Sequence, residues 1–208
     1  MKNLTIIGHP LVKRDLTLLR DRKTPSNVFR SVLRRTSTLM AYEVTRNLPL
    51  KKVKVRTPLE TTIGSMIVKP VVLVPILRAG LGLVGGFVEV IPDARVGHIG
   101  LYRDEESLKP VDYYFKVPRK LRDAFVLLLD PMLATGGSGS AAITYLKEKG
   151  ARSILYVSVV AAPEGVRRVV RAHPDVRIYT CALDRELNSK GYILPGLGDA
   201  GDRIFGTE

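Results

Sequence analysis

Short apolar runs alternate with helix-like segments along most of this chain of 208 residues. Strand-length apolar runs occur at residues 71–77, 96–103, 125–130, 154–161 and 176–182. Segments with apolar residues at helical spacing occur at residues 10–20, 26–48, 81–90, 140–149 and 163–172. This alternation predicts an α/β fold with a mainly parallel, twisted sheet and helices on both faces. In such a sheet, ligands bind at the carboxyl ends of the strands.

The order of these segments predicts one domain over residues 1–208. Residues 53–55 and 61–68 flank a turn at Pro58, which predicts a β-hairpin extension outside the parallel sheet. We expect the N-terminal helices and the C-terminal loop to form a small hood over a core at residues 70–182.

Composition narrows the classes of function. With 45% hydrophobic residues the chain can bury a core, yet no apolar run approaches the ~18 residues of a membrane span. The apolar stretch within the first ten residues is too short and is interrupted too early to form a signal peptide, so we expect the protein to be located in the cytoplasm. Cys181 is the single cysteine, which excludes an intrachain disulfide and a cysteine zinc cluster.

The formal charge of +13 raises the question of nucleic-acid binding. The basic residues are dispersed among apolar and acidic ones, and no aromatic stacking pattern runs through them. Solvated faces of helices and strands account for this distribution. A positive field also attracts a polyanionic substrate. We therefore expect small-molecule substrates rather than a nucleic acid or a membrane.

The most informative motif spans residues 126–138. An apolar strand ends at Asp130, a loop of small residues follows, and a helix-like segment begins. This order makes an anion cradle, because free backbone N–H groups and the helix dipole both point into the turn. Gly136 and Gly137 allow close approach of the backbone. An acid beside a phosphate cradle suggests a ligand with both a phosphate and a sugar diol.

This motif resembles the phosphoribosyl-diphosphate motif of the type I phosphoribosyltransferases. Most of that superfamily has two adjacent acids, whereas Pro131 follows Asp130 here, and the variant with proline resembles the uracil branch. The resemblance implies a phosphoribosyl-diphosphate site formed by Arg78, Arg103, Asp130, Pro131, Met132, Leu133, Ala134, Thr135, Gly136, Gly137, Ser138 and Asp199.

Two arginines end predicted strands. A guanidinium offers a planar fork for two phosphate oxygens. In the uracil phosphoribosyltransferases the matching arginines contact the diphosphate, so the resemblance gives Arg78 and Arg103 this catalytic role. Surface pairing with the acids at 104–106 is the alternative.

Residues 80–85 match the G-x-G-x-x-G motif. Two interpretations of this motif stay open: a dinucleotide-binding fold, or small residues that pack the helix on the sheet.

The resemblance extends to a polar arm and to the tail. Residues 102–110 have the composition of a mobile surface loop, and the family implies an active-site flap there. Residues 191–207 are dense in glycine, which predicts a defined loop, and they resemble the pyrimidine loop of the family. The resemblance implies that uracil is read by Ile193, Gly198, Asp199 and Ala200. It makes Asp199 the candidate for orienting the ring or accepting its proton.

The implied reaction transfers ribose 5-phosphate from phosphoribosyl diphosphate to uracil, giving UMP and diphosphate. Mg²⁺ is the implied cofactor, held mainly by substrate oxygens and water. The resemblance also implies a homodimer or higher homo-oligomer, and it makes GTP a candidate effector because some family members respond to it. The alternative is an RNA-binding pyrimidine regulator with residual transferase activity, which the positive charge favours and the complete tail loop opposes.

Overall fold

The structure is a computed structural model that describes residues 3–103 and 110–207. Its helices are α1 (Pro10–Arg20), α2 (Ser26–Thr45), α3 (Leu81–Val90), α4 (Gly137–Glu148), α5 (Pro163–Ala172) and α6 (Ala200–Phe205). Its strands are β1 (Leu4–Ile6), β2 (Leu50–Arg56), β3 (Thr61–Ile67), β4 (Val71–Leu77), β5 (Arg95–Val96), β6 (His98–Arg103), β7 (Pro110–Lys116), β8 (Phe125–Leu129), β9 (Met132–Leu133), β10 (Ile154–Ala161), β11 (Arg177–Leu183), β12 (Glu186–Leu187) and β13 (Ile193–Leu194).

The main sheet has the strand order β1-β11-β10-β8-β4-β6-β7. Neighbouring strands are parallel except at one edge, where β7 runs antiparallel to β6. Strands β2 and β3 form a separate antiparallel hairpin. The predicted α/β fold, its mainly parallel sheet and its hairpin extension are confirmed.

Helices cover both faces of the sheet, as predicted. Successive residues of a strand point to opposite faces, so each central strand contributes to two cores. In β4, Leu73 belongs to the core under α1, α2 and α3, whereas Val72 and Val74 belong to the core under α4 and α5. This double burial explains why the central strands are continuous apolar runs. No helix in the two described ranges is long and apolar enough to cross a membrane.

Close packing accounts for two of the three glycines in the 80–85 motif, Gly80 and Gly82. A Cβ on Gly80 would lie 2.5 Å from the Leu129 carbonyl oxygen, and a Cβ on Gly82 would lie 2.7 Å from Leu33 on α2. The motif therefore lets α3 approach both β8 and α2. Helix packing, one of the two alternatives left open by the sequence, is sufficient.

Predicted and observed boundaries differ at several places. Helix α2 ends at Thr45 rather than at residue 48, and α4 begins at Gly137 rather than at residue 140. The tail, predicted to be a loop throughout, contains the short helix α6. The strand predicted at 96–103 is divided into β5 and β6. Strands β1, β9, β12 and β13 were not predicted, because runs of two or three residues are too short to show periodicity.

Candidate active site

Three hollows open side by side at the carboxyl ends of β4 and β8. The tail hollow (about 330 Å³) is lined mainly by residues 190–193 and 198–201. The arginine hollow (about 310 Å³) is lined by residues 76–79 together with Leu101, Asp130, Met132, Ser138, Asp199 and Gly201. The loop hollow (about 100 Å³) is lined mainly by residues 132–139. Asp130 and Met132 line all three. A ligand that extends from one hollow to another therefore passes this carboxylate.

Asp130 is held in place by a tyrosine from the neighbouring strand. Tyr156 Oη donates a hydrogen bond of 2.8 Å to Asp130 Oδ2, and the Met132 amide lies 3.4 Å from Oδ1. Burial raises the pKa of Asp130 to about 6, and these two hydrogen bonds limit the rise. Burial also raises the pKa of Tyr156 well above its ordinary value, so the hydroxyl remains a donor.

The loop after Asp130 has the geometry of an anion cradle. Gly136 is the N-cap of α4 and has a φ of 74°, a left-handed conformation that favours glycine. A Cβ there would also lie 2.7 Å from the Gly165 carbonyl oxygen. Helix α4 starts at the next residue, so its first-turn amides and its positive dipole end face the loop hollow, and the Gly137 amide lies 3.4 Å from Thr135 Oγ1. The predicted residues Asp130 to Ser138, apart from Pro131, line this hollow.

Arg78 stands in the arginine hollow, directly after β4. Its Nη2 lies 3.2 Å from Asp202 Oδ1, and its guanidinium carbon lies 5.8 Å from the centre of the Phe205 ring. The partner of Arg78 is thus on α6. Arg103 ends β6, but its side chain and residues 104–109 of the predicted flap at 102–110 lie outside the described residues.

The tail hollow contains all four residues predicted to read uracil. Ile193 belongs to β13, and Gly198, Asp199 and Ala200 form the turn into α6. Gly198 has a φ of 80°. Asp199 is the N-cap of α6, and its Oδ1 accepts the Asp202 amide at 3.0 Å. Its carboxylate therefore has a structural partner as well as access to the hollow.

Comparison with known proteins decides which family has this arrangement. The uracil phosphoribosyltransferase family profile matches residues 6–207. The chain belongs to the uracil phosphoribosyltransferase family. Uracil phosphoribosyltransferases of Polaromonas naphthalenivorans and Acidovorax ebreus are each 56% identical to it over 209 residues, covering 100% of both chains. A solved structure from Aquifex aeolicus has a TM-score of 0.92 and 36% identity over 97% of each chain. A purine phosphoribosyltransferase from Pyrococcus horikoshii shares the fold, with a TM-score of 0.50, 18% identity and coverage of 71% of this chain and 82% of its own.

Arg20 and Arg203 form hydrogen bonds that connect the tail of this uracil phosphoribosyltransferase to helix α1. Arg20 donates to both carboxylate oxygens of Asp184, at 2.9 and 2.5 Å, and to the Gly196 carbonyl at 2.7 Å. Asp184 also accepts the Gly196 amide at 2.9 Å. Arg203 donates to the carbonyls of Leu19, Leu197 and Asp21. These bonds fix the backbone on which the tail hollow is built.

Sequence reasoning did not find several residues at the site. The sequence does contain a clue to Tyr156, since it is a hydroxyl-bearing residue in a mainly apolar strand. Lys190 lines the tail hollow but has no motif of its own. Arg20 and Asp184 are 164 residues apart, and no local pattern connects them.

Proposed function

We propose that this protein transfers ribose 5-phosphate from phosphoribosyl diphosphate to uracil, giving UMP and diphosphate. Its family makes it a uracil phosphoribosyltransferase, a pentosyltransferase. One observation supports this function: the three hollows meet at Asp130, so each can bind a different part of the substrates. The loop hollow takes the 5′-phosphate, Asp130 accepts the ribose hydroxyls, the arginine hollow takes the diphosphate and the tail hollow takes the base.

The diphosphate leaves from the arginine hollow. Its departure places positive charge on the ribose and negative charge on the leaving oxygens. Arg78, and Arg103 from the neighbouring strand, stabilise those oxygens because guanidinium groups keep their charge and bind phosphate in a bidentate manner. Loss of one such donor costs about 3 kcal/mol of transition-state stabilisation.

The tail hollow recognises the pyrimidine edge through backbone groups. A carbonyl at Ile193 and amides at Gly198 to Ala200 present acceptors and donors in a fixed order. Cytosine reverses donor and acceptor at two edge positions, so buried groups would stay unpaired, and discrimination of roughly 10⁴ follows. Asp199 orients the ring or accepts its proton.

Mg²⁺ fits the donor chemistry of this site. Mg²⁺ prefers oxygen ligands and retains water, and the hollows offer the carboxylates of Asp130 and Asp199. Among the described residues, no group of three or more His, Cys, Asp or Glu could hold a metal ion. Substrate oxygens and water would be its main ligands beside these carboxylates, and the ion would supply positive charge that neutralises the diphosphate.

The hood and the flap belong to the same proposal. Helices α1 and α2 and the tail form the hood over the core at residues 70–182 within one domain, and Arg20 and Arg203 connect α1 to the tail. The arm at 102–110 is expected to be a flap that excludes water from the reacting atoms, and residues 104–109 lie outside the described residues.

A homo-oligomer is the proposed assembly. Apolar side chains on both strands of the β2–β3 hairpin are exposed, and an isolated two-stranded hairpin is only marginally stable in water. Contact with a second copy of the chain would bury these apolar side chains and would stabilise the hairpin. GTP is the proposed effector, and its effect on the rate of UMP formation measures that role directly.

The function is tested with a panel of nucleobases. Uracil, cytosine, hypoxanthine and orotate are each incubated with phosphoribosyl diphosphate and Mg²⁺, and diphosphate release is followed. Uracil alone is expected to support rapid turnover. Equal or faster turnover with another base would contradict the assignment. RNA retention on a filter at moderate salt tests the regulator alternative, since phosphate contacts weaken steeply with salt.

A further inference from the structure

Helix α5 begins in direct contact with the anion loop. A Cβ on Gly165 would lie 2.9 Å from the Leu133 carbonyl oxygen, and a Cβ on Gly136 would lie 2.7 Å from the Gly165 carbonyl oxygen. The two backbones therefore touch without intervening side chains. Residues one turn further along α5 project on the same side of the helix as Gly165, since helical neighbours recur at i+3 and i+4.

Arg168 occupies this position, three residues after Gly165. A Cβ on Gly137 would lie 3.5 Å from Arg168 Nη1 and 3.8 Å from its guanidinium carbon. Gly137 is the first residue of α4. The guanidinium thus lies at the edge of the loop, beside the first turn of α4.

No acidic side chain neutralises Arg168 within the described parts of the chain. It forms no ion pair there. Glu164 lies one turn earlier on α5, and its Oε2 has no hydrogen-bond partner. Glu164 lines a surface hollow of about 550 Å³ together with Arg167, Arg168 and Arg171. The surface beside the anion loop therefore carries excess positive charge.

We infer that Arg168 is a further binding residue for the 5′-phosphate of the ribosyl substrate, acting beside the backbone amides of the loop. Backbone amides satisfy the phosphate oxygens that face the turn. A guanidinium at its edge can reach an oxygen that points toward solvent, and a charge-assisted hydrogen bond is stronger than a neutral one. This inference rests on the proposed function, because it assigns the loop to that phosphate.

The test uses ribose 5-phosphate as the probe, because it carries the phosphate and the ribose without the diphosphate. Its affinity for the wild-type protein, Arg168→Ala, Arg168→Lys and Arg167→Ala is measured by calorimetry at 50 mM salt. Arg167→Ala is the matched control, since Arg167 is an exposed arginine on the same helix and its removal changes the net charge equally.

Arg168→Ala is expected to weaken ribose 5-phosphate binding about 10-fold, near the low end for a hydrogen bond to a charged group because the side chain is exposed. Arg168→Lys should recover part of that loss, and Arg167→Ala should change the affinity by less than about twofold because its charge is screened. In steady-state assays, Arg168→Ala should raise the KM for phosphoribosyl diphosphate while kcat and the KM for uracil stay unchanged.

An equal effect of Arg168→Ala and Arg167→Ala would overturn the inference, as would absence of ribose 5-phosphate binding to the wild-type protein. A loss confined to kcat would also overturn it, since it indicates a role outside phosphate binding. Failure of the proposed function is distinguishable. In that case the wild-type protein makes no UMP, whereas Arg168-dependent binding of ribose 5-phosphate is still detected by calorimetry.

Discussion

The Arg78 guanidinium lies 3.2 Å from the Asp202 carboxylate, so the loop after β4 is tied to the C-terminal helix α6. The two side chains are 57% and 31% exposed. An ion pair this exposed adds at most about 1 kcal/mol to the free energy of unfolding. The pair instead connects the arginine hollow to the tail hollow, and it holds the guanidinium in place before a diphosphate arrives.

Replacement of Arg78 should affect one substrate much more than the other. We expect Arg78→Ala to raise the KM for phosphoribosyl diphosphate by at least about tenfold, since a charge-assisted contact is lost. The KM for uracil should change by less than about threefold in the same assays. Arg34→Ala is the control, because the exposed Arg34–Glu89 pair of 3.4 Å involves none of the hollow-lining residues. Equal losses for both substrates would remove Arg78 from diphosphate binding.

Asp199→Asn should distinguish a catalytic role of this carboxylate from its structural role as the N-cap of α6. Asparagine caps helices about as well as aspartate, so the hydrogen bond to the Asp202 amide and the thermal unfolding midpoint should be kept. Turnover should fall, because the amide cannot accept a proton. Asp199→Ala should lower turnover and also cost about 1 kcal/mol of stability through the lost cap. An unaltered kcat in Asp199→Asn would exclude this carboxylate from the mechanism.

The pH dependence of catalysis should follow Asp130. Its pKa is raised to about 6, and the carboxylate form is the acceptor for ribose hydroxyls, so kcat/KM for phosphoribosyl diphosphate should fall as the pH drops below about 6. Tyr156→Phe removes a donor that lowers this pKa, and the acidic limb of the profile should move to higher pH. Tyr179→Phe, the same change on β11, is the control. An unmoved acidic limb in Tyr156→Phe would show that another group titrates there.

Stability should respond to pH in the opposite direction. The pKa of Asp130 in the folded protein lies above its ordinary value of 3.8, so the folded state binds the proton more tightly. The stability that this group contributes is therefore present at low pH and is lost as the pH rises from about 4 to about 6. Asp130→Asn should flatten this part of the curve, measured by urea unfolding at a series of pH values. An unchanged slope would mean that Asp130 does not carry the raised pKa.

Arg20 should matter for both stability and uracil binding. Asp184 is only 4% exposed, so Arg20→Ala leaves a buried carboxylate without its cation. We expect a loss of about 2 kcal/mol, which is below the ~3–5 kcal/mol of a fully buried pair because Arg20 is itself 24% exposed. The KM for uracil should rise, since the Gly196 backbone loses its anchor.

Arg14→Ala provides the comparison for Arg20→Ala. Asp15 is fully buried and is bound by Arg14 and by Arg35, both at 2.8 Å. Removal of Arg14 leaves Asp15 paired with Arg35, so a smaller loss of stability and an unchanged KM for uracil are expected. A KM for uracil that rises equally in both variants would point to a general effect of lost charge rather than to the tail.

The sequence by itself determined the elements and the local chemistry. The observed bounds of α1, β4, α3, β10 and α5 coincide with the predicted ones, because apolar periodicity and proline or glycine boundaries act over a few residues. The anion loop was also predictable, since a strand, small residues and a helix start are contiguous. The tail was recognisable as a defined glycine-rich segment for the same reason.

Only the tertiary structure decided which side chains meet. Tyr156 lies opposite Leu128 in the parallel register of β10 and β8, and Asp130, two residues further on, faces the same side. The Arg78–Asp202 and Arg20–Asp184 pairs span 124 and 164 residues. Propensity acts through neighbours in the chain, whereas these contacts depend on strand register and on how α1, α5 and α6 pack around the sheet. Side-chain partners that are this far apart in sequence therefore cannot be predicted from a local pattern.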